Sequence, residues 1–343
     1  MKIAQKHIAE TAGVTLKTVS RYFNDASQVA LKTRKIIERA CEELNYMPNS
    51  AARSIRSGRF HRIACFQTRK IEKNGREGIY TSQLQYINGM TNILAQNGYT
   101  LEIAPLILDQ SHGTDMVFFP QIFSEFCVDG IICLPEMTVH EKIMEKLLTL
   151  KHPSAWLNND NAPPGWGRFL FNERAGATRL AEYLMAKGRR NIVWFDCGSK
   201  KSPHYSKIER RAGVKDALKK AGLPSEMEII IPSKIDAQKY CADIFKKYPK
   251  TDAVISNIPF FFKSYEYLKE EKKRGKDFEA AYFASEWFAK DYVKEGVFIV
   301  TPETKLGERA AEYVLAKING KDKKDLLKPL NPKLQINGQF QEQ

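Results

Sequence analysis

Residues 9–22 read Ala9-Glu10-Thr11-Ala12-Gly13-Val14-Thr15-Leu16-Lys17-Thr18-Val19-Ser20-Arg21-Tyr22. Two crossing helices need a small residue at their contact, a glycine able to take positive φ in the turn, and apolar side chains on the inner face. Ala9, Gly13, and Val14, Val19 and Tyr22 supply these in the right order. Thr15 is placed to cap the second helix, whose exposed start is Leu16, Lys17, Thr18, Ser20 and Arg21. Such a helix enters a DNA major groove N-terminus first. A third helix is predicted over Leu31–Asn45, where Ile36, Ile37, Ala40 and Leu44 fall at helical spacing and close a three-helix core. Taken alone, the same residues also suit a small solvated helical hairpin.

The charge distribution bears on that choice. The chain has 343 residues, 54 Lys and Arg against 40 Asp and Glu, and a formal charge of +14, which points to a polyanionic partner. Residues 1–60 hold 11 basic and 5 acidic residues, a net +6, whereas the other 283 carry only +8. Charge density is therefore several-fold higher around the predicted helices. Beyond them runs Pro48-Asn49-Ser50-Ala51-Ala52-Arg53-Ser54-Ile55-Arg56-Ser57-Gly58, with Ile55 a lone large apolar residue among arginines. A helix of that length is too short to hold alone, so it should order on binding.

From Arg62 onward the pattern changes to β-rich runs alternating with helix-period segments. Strands are predicted at Ile63–Phe66, Tyr99–Ala104, Asp129–Leu134, Ser154–Leu157, Arg168–Phe171, Asn191–Phe195, Met227–Ile231, Asp252–Ser256, Glu279–Phe283 and Gly296–Val300. Helices are predicted at Ser82–Asn97, Glu173–Lys187, Glu209–Ala221, Ala237–Lys247 and Leu306–Ile318, several closed by a glycine such as Gly98, Gly188, Gly222 or Gly320. That order means parallel sheets with right-handed crossovers, too long for one sheet and suited to two lobes with a ligand at the strand carboxyl ends.

These residues carry a resemblance. Ala12-Gly13-Val14-Thr15 with Thr18-Val19-Ser20-Arg21, then Thr33-Arg34, Leu44-Asn45-Tyr46-Met47-Pro48-Asn49 and Ala52-Arg53-Ser54-Ile55, closely resemble the lactose repressor/galactose repressor family of bacterial transcription regulators. Val128-Asp129-Gly130-Ile131-Ile132, Arg190-Asn191-Ile192-Val193 and Arg210-Arg211-Ala212-Gly213 resemble its effector domain more loosely. The resemblance implies an all-α helix-turn-helix head on an α/β body of two Rossmann-like lobes of periplasmic-binding-protein type. The head would span 1–47, a hinge helix and linker 48–60, and the effector-binding and dimerisation domain 61–343. Lobe 1 would take about 61–159 and 290–319, and lobe 2 about 160–289 and 320–338. Segments would cross near Asn158–Asn161, near Ala284–Lys290 and after Gly320.

The resemblance further implies a sequence-specific regulator, a repressor, binding a palindromic operator as a homodimer under control of a sugar-like molecule. DNA contacts would come from Thr15, Leu16, Lys17, Thr18, Ser20, Arg21 and Asn24 in the head, and from Asn49, Ala52, Arg53, Ile55 and Arg56 in the hinge. Lys17 can donate to guanine, and Ile55 stands where the family wedges a leucine into the minor groove. Ala4 and Ala30 stand where the family has polar helix caps, at a cost of about 1 kcal/mol each. Effector contacts would come from Thr68, Asn158, Phe171, Arg210 and Asn257, with Glu286 substituting for a missing aspartate. Arg210 suits hydroxyls or a carboxylate, or else a surface salt bridge. Asn158 and Asn257 suit a ligand or turns bonded to their own backbone. Trp156, Phe171, Phe260 and Trp287 suit stacking on a sugar or the core of a lobe.

Other classes find less support. None of the P-loop, dinucleotide-binding, nucleophile-elbow or zinc-protease motifs occurs, so no enzyme and no cofactor is expected. Six scattered cysteines argue against a metal or disulfide framework and fit reduced core positions. No apolar run approaches the roughly 18 residues of a membrane span, and the N-terminus lacks an export signal, so a cytoplasmic protein with no membrane partner is expected. A cytoplasmic solute-binding or sensor protein, its head serving another interaction, is the alternative.

Overall fold

The computed structural model describes residues 3–24, 26–46, 58–71, 83–110, 115–125, 127–135, 139–197, 204–225, 228–231, 246–257, 278–292 and 296–341. The chain divides into two compact units, residues 1–62 with 127–129, and residues 63–126 with 130–343.

In the first unit, helices α1 (Gln5–Thr11), α2 (Leu16–Asn24) and α3 (Leu31–Glu43) enclose Ile8, Ala9, Ala12, Val19, Ile37 and Ala40. Gly13 takes φ +61° in the turn, as the α1–α2 crossing requires, and Val14 N donates to Ala9 O at 3.0 Å. Neither Ala4 nor Ala30 makes a side-chain cap. Other groups stand in. His7 Nδ1 accepts from Ala4 N at 3.0 Å, and Arg34 clips the turn before α3 by donating to Val29 O at 2.6 Å and Ser27 O at 3.1 Å. Ile36, expected in this core, is 41% exposed because Ile37 and Ala40 already fill the inward stripe. The proposed hinge contacts at 49–56 lie outside the described residues.

The second unit holds two α/β lobes. Lobe 1 is a six-stranded sheet in the order β3-β2-β1-β4-β5-β6, from β1 (Arg62–Ile71), β2 (Thr100–Asp109), β3 (Met116–Phe118), β4 (Gly130–Leu134), β5 (Ser154–Leu157) and β6 (Gly167–Phe169). Helices α4 (Gln83–Gln96), α5 (Ile122–Glu125) and α6 (Glu141–Leu148) connect its strands. Lobe 2 is a seven-stranded sheet of β7 (Ile192–Cys197), β8 (Glu228–Ile231), β9 (Ala253–Ser256), β10 (Glu279–Ser285), β11 (Val297–Thr301), β12 (Lys333–Ile336) and β13 (Gln339–Phe340), ordered β13-β12-β11-β10-β9-β7-β8. Among the described residues its helices are α7 (Glu173–Ala186), α8 (Tyr205–Lys220) and α9 (Glu286–Tyr292). The parallel strands are apolar on both faces, as strands covered on both sides must be.

Helix α10 (Glu303–Ile318) follows β11 of lobe 2 yet packs on lobe 1. Its Leu306, Ala310, Tyr313 and Val314 share a core with Ile63, Ile132, Leu157 and Phe169. Two boundaries therefore move. The strand Gly167–Phe169, expected in lobe 2, hydrogen-bonds to β5 in lobe 1, so the first crossing lies at Leu170–Asn172 instead of Asn158–Asn161. The strand Val297–Thr301, expected in lobe 1, sits between β10 and β12 in lobe 2, so the second crossing lies at Pro302. Apolar pattern alone does not tell which sheet a strand joins; pairing does. The third crossing follows α10, and Leu330 pairs with Phe171 on the first crossing segment, Asn172 N donating to Leu330 O at 2.8 Å. Gln339–Phe340 forms β13, the second strand of a hairpin with β12.

Helix pairs in both lobes approach backbone to backbone. A Cβ on Gly89 of α4 would stand 2.0 Å from Thr304 O of α10, and one on Gly307 of α10 would stand 2.2 Å from Tyr86 O. In lobe 2 a Cβ on Gly213 of α8 would meet Arg174 O of α7 at 2.4 Å.

Candidate functional site

In the head, Thr15 Oγ1 accepts from Thr18 N at 3.2 Å, so the expected cap is present, and its hydroxyl lies 2.9 Å from that of Thr18. Leu16 is 51% exposed, and Lys17 and Arg21 are also exposed, while Thr18 and Ser20 are half-buried. Leu16 would gain free energy on burial against a partner, and two cations stand beside it. Tyr22 donates to Glu38 Oε1 at 3.1 Å and ties α2 to α3, which fixes the angle of the exposed face. Asn24 ends α2, and its side chain lies outside the described residues.

In the body, polar groups gather at the carboxyl ends of the lobe 2 strands and on the crossings. Arg210, in α8, forms a bidentate pair with Glu173, Nε donating to Oε2 at 2.7 Å and Nη2 to Oε1 at 2.8 Å. Its Nη1 donates to Asn257 O at 3.1 Å, and its guanidinium lies 4.4 Å over the Phe283 ring. The side chains of Arg210 and Glu173 are 13% and 1% exposed. Arg210 thus makes a buried pair where a surface pair was the alternative, and most of its donors already have partners within lobe 2.

Lobe 2 also grips the carboxyl end of β5 and the first crossing. His204 Nε2 donates to Asn158 O at 2.6 Å, which leaves Nδ1 to accept from Ser206 N at 3.3 Å. Burial pushes the His204 pKa down, which keeps the ring neutral and that tautomer in place. Tyr205 Oη donates to Asn158 Oδ1 at 2.9 Å and accepts from Phe171 N at 3.1 Å. Asn158 adopts φ +52°, a conformation asparagine tolerates, and its side chain meets Tyr205 instead of its own backbone. Phe171 is buried 6.5 Å from the Tyr86 ring of α4. The Tyr86 pKa is pushed well up by burial first, then by Glu303, Tyr205 and Glu173, so groups from both lobes converge there.

Glu303, at the start of α10, is buried, and burial pushes its pKa up to about 8. Glu303 Oε2 accepts from Glu286 N at 2.9 Å, while Glu286 Oε2 accepts from Thr304 N at 2.9 Å. Each carboxyl caps the other's helix. Glu286 therefore serves the start of α10 and is not among the groups around Arg210. Asn257 is buried, and Thr68 is buried within β1. Trp156 is fully buried and edge-on to Trp166, a core residue, and Phe260 lies outside the described residues.

Glu173, His204, Tyr205, Tyr86 and Glu303 carry the geometry here without having been singled out in the sequence. One signal was available, since Glu173 follows Asn172, whose Oδ1 caps α7 by accepting from Ala175 N at 3.3 Å, so that its side chain points back from a helix start. Among the described residues no group of three or more His, Cys, Asp or Glu is placed to hold a metal, and no helix is long and apolar enough to cross a membrane.

Residues 6–49 match the model of the bacterial regulatory proteins, lacI family. The HTH-type transcriptional regulator MalR of Streptococcus pneumoniae is 26% identical over 270 residues, covering 75% of this chain and 76% of the relative. The HTH-type transcriptional repressor PurR of Vibrio atlanticus is 23% identical over 336 residues, 96% of each chain. The fold is that of the lac repressor bound to ONPG in its repressed state, with TM-score 0.67 at 18% identity over 98% of this chain and 99% of that one. A complex of the transcriptional regulator CelR with cellobiose has TM-score 0.57 at 18% identity, over 98% of this chain and 99% of that one.

Proposed function

We propose that this chain, whose residues 6–49 match the model of the bacterial regulatory proteins, lacI family, is a cytoplasmic repressor that binds a palindromic operator as a homodimer under control of a sugar-like effector. The capped α2 with Leu16, Lys17 and Arg21 exposed at its start carries the reading, because that arrangement suits the major groove and leaves an apolar side chain wet without DNA. One head reaches one half-site, so a two-fold operator calls for two copies. Thr15, Thr18, Ser20 and Asn24 would assist in the groove, and Asn49, Ala52, Arg53, Ile55 and Arg56 would fold against the operator centre.

The effector would enter between the lobes, against Asn158, Phe171, Arg210 and Asn257, with Thr68 lining lobe 1 and Glu286 acting through α10. A ligand shifts the two lobe arrangements only by its difference in affinity for them. Because Arg210 is neutralised by Glu173, an uncharged polyol suits the cleft better than an anion. Mobility shift with a palindromic site at low salt is the test. The expected result is a complex that Arg21→Ala weakens tenfold or more and that a sugar changes; a complex indifferent to Arg21→Ala and Lys17→Ala removes this function.

A further inference from the structure

Gly58, Arg59, Phe60 and His61 lead the linker into β1. Gly58 takes φ +65° and His61 φ +55°. A histidine enters that left-handed region rarely and stays there only where surrounding contacts impose it. The contact here is a carboxylate. Asp129 Oδ1 accepts from Phe60 N at 2.9 Å and Oδ2 from His61 N at 2.7 Å. Two successive N–H groups converging on one anion make a backbone cradle of the kind that holds phosphates, and bonds to a charged acceptor are stronger than neutral ones. Asp129 N in turn donates to Arg62 O at 2.9 Å. The next residue on each side, Ile63 and Gly130, begins the pairing of β1 with β4. The last turn of the linker is therefore closed by the residue just before β4, and Asp129 clusters with residues 1–62 and not with the strand it precedes.

We propose that Asp129 is a positioning residue for DNA recognition: it fixes the point from which each head is tethered, and through it the spacing between half-sites that a pair of heads accepts. This rests on the reading of the chain as a dimeric operator-binding protein. Half-site spacing is a geometric property of such proteins, and it is only as sharp as the tether is short. Releasing residues 58–61 adds up to about 13 Å of extended chain to each head, at about 3.3 Å per residue. One base pair inserted between half-sites moves them apart by only about 3.4 Å. A linker held at Asp129 therefore discriminates against the insertion, and a released one absorbs it.

The test takes a duplex selected on full-length wild-type protein from a randomised library and compares it with versions one base pair longer or shorter at the centre, and with a single half-site. Wild type should lose tenfold or more in affinity on either altered duplex. Asp129→Ala should lose less than threefold on them. Asp129→Asn keeps the shape and one acceptor but turns an amide N–H toward the other donor, so it should fall between, and it decides the matter if Asp129→Ala does not fold. Half-site affinity should be equal in all three proteins, because the head is untouched. Wild-type discrimination retained in the variants overturns the proposal, as does a uniform drop on every duplex, the mark of a merely structural role. A wild type indifferent to spacing overturns it too, while leaving the repressor reading intact. A selection that returns no two-fold site removes the dimeric reading, and this proposal with it.

Discussion

At the residue scale, Glu303 makes the cost of burying an ionisable group measurable. Thr301 Oγ1 lies within bonding distance of both Ala284 O and Glu303 Oε1, and its single proton serves one of them. A protonated Glu303 donating to Thr301, which donates to Ala284 O at 3.2 Å, satisfies all three. The pKa pushed up to about 8 from 4.5 agrees with that arrangement. Between those values the unfolded chain is ionised and the folded chain is not, so this group's contribution to stability is full below about pH 4.5 and is lost as pH rises through about 8. Thermal unfolding of Glu303→Gln across pH 5 to 9 should therefore fall less at the alkaline end than that of the wild type; parallel curves would show that Glu303 is ionised in the fold. The Arg210–Glu173 pair makes the complementary case. Removing one member strands a buried charge, so Glu173→Ala should lose about 3–5 kcal/mol in urea unfolding, and a loss under 1 kcal/mol would mean that water reaches the guanidinium.

At the scale of elements, glycines decide how helices meet. In an exposed helix Gly→Ala adds up to about 1 kcal/mol of stability. At Gly307 the sign should reverse, because the new methyl group would stand 2.2 Å from Tyr86 O, a backbone atom that moves only with its helix. Gly307→Ala and Gly89→Ala should each lose about 1–3 kcal/mol, the cost of overpacking, read as a lower urea midpoint at constant slope. The same scale shows where sequence was informative. Thr15 and Gly13 act within a few residues of their own position, so cap and turn were readable directly. The strand Asp129–Leu134 was legible because a strand buried on both faces is apolar throughout. What pattern could not give was the partner: the sheet to which Gly167–Phe169 belongs, the hairpin that turns Gln339–Phe340 into a strand, and the Glu173 that meets Arg210 from 37 residues away. Those depend on contacts between distant segments, on which local spacing carries no information.

At the scale of the whole molecule, the net +6 in 60 residues and +8 in the other 283 make one physical demand. A head that displaces counterions from DNA must bind with an affinity that falls as salt rises, log K falling against log salt with a slope of about −0.9 per neutralised phosphate. The change of that slope on substitution also counts heads. One Arg21→Ala substitution removes one cation from every copy, so the slope should become shallower by about 0.9 if a single head is engaged and by about 1.8 if two are. The repressor proposed here binds a two-fold operator and requires the larger change, while the same measurement on a half-site duplex should return the smaller one. Equal changes on both duplexes would leave the head as a DNA-binding module but remove the dimer. An unchanged slope on both would remove Arg21 from the interface, and with it the orientation of α2 on which the reading of the head depends.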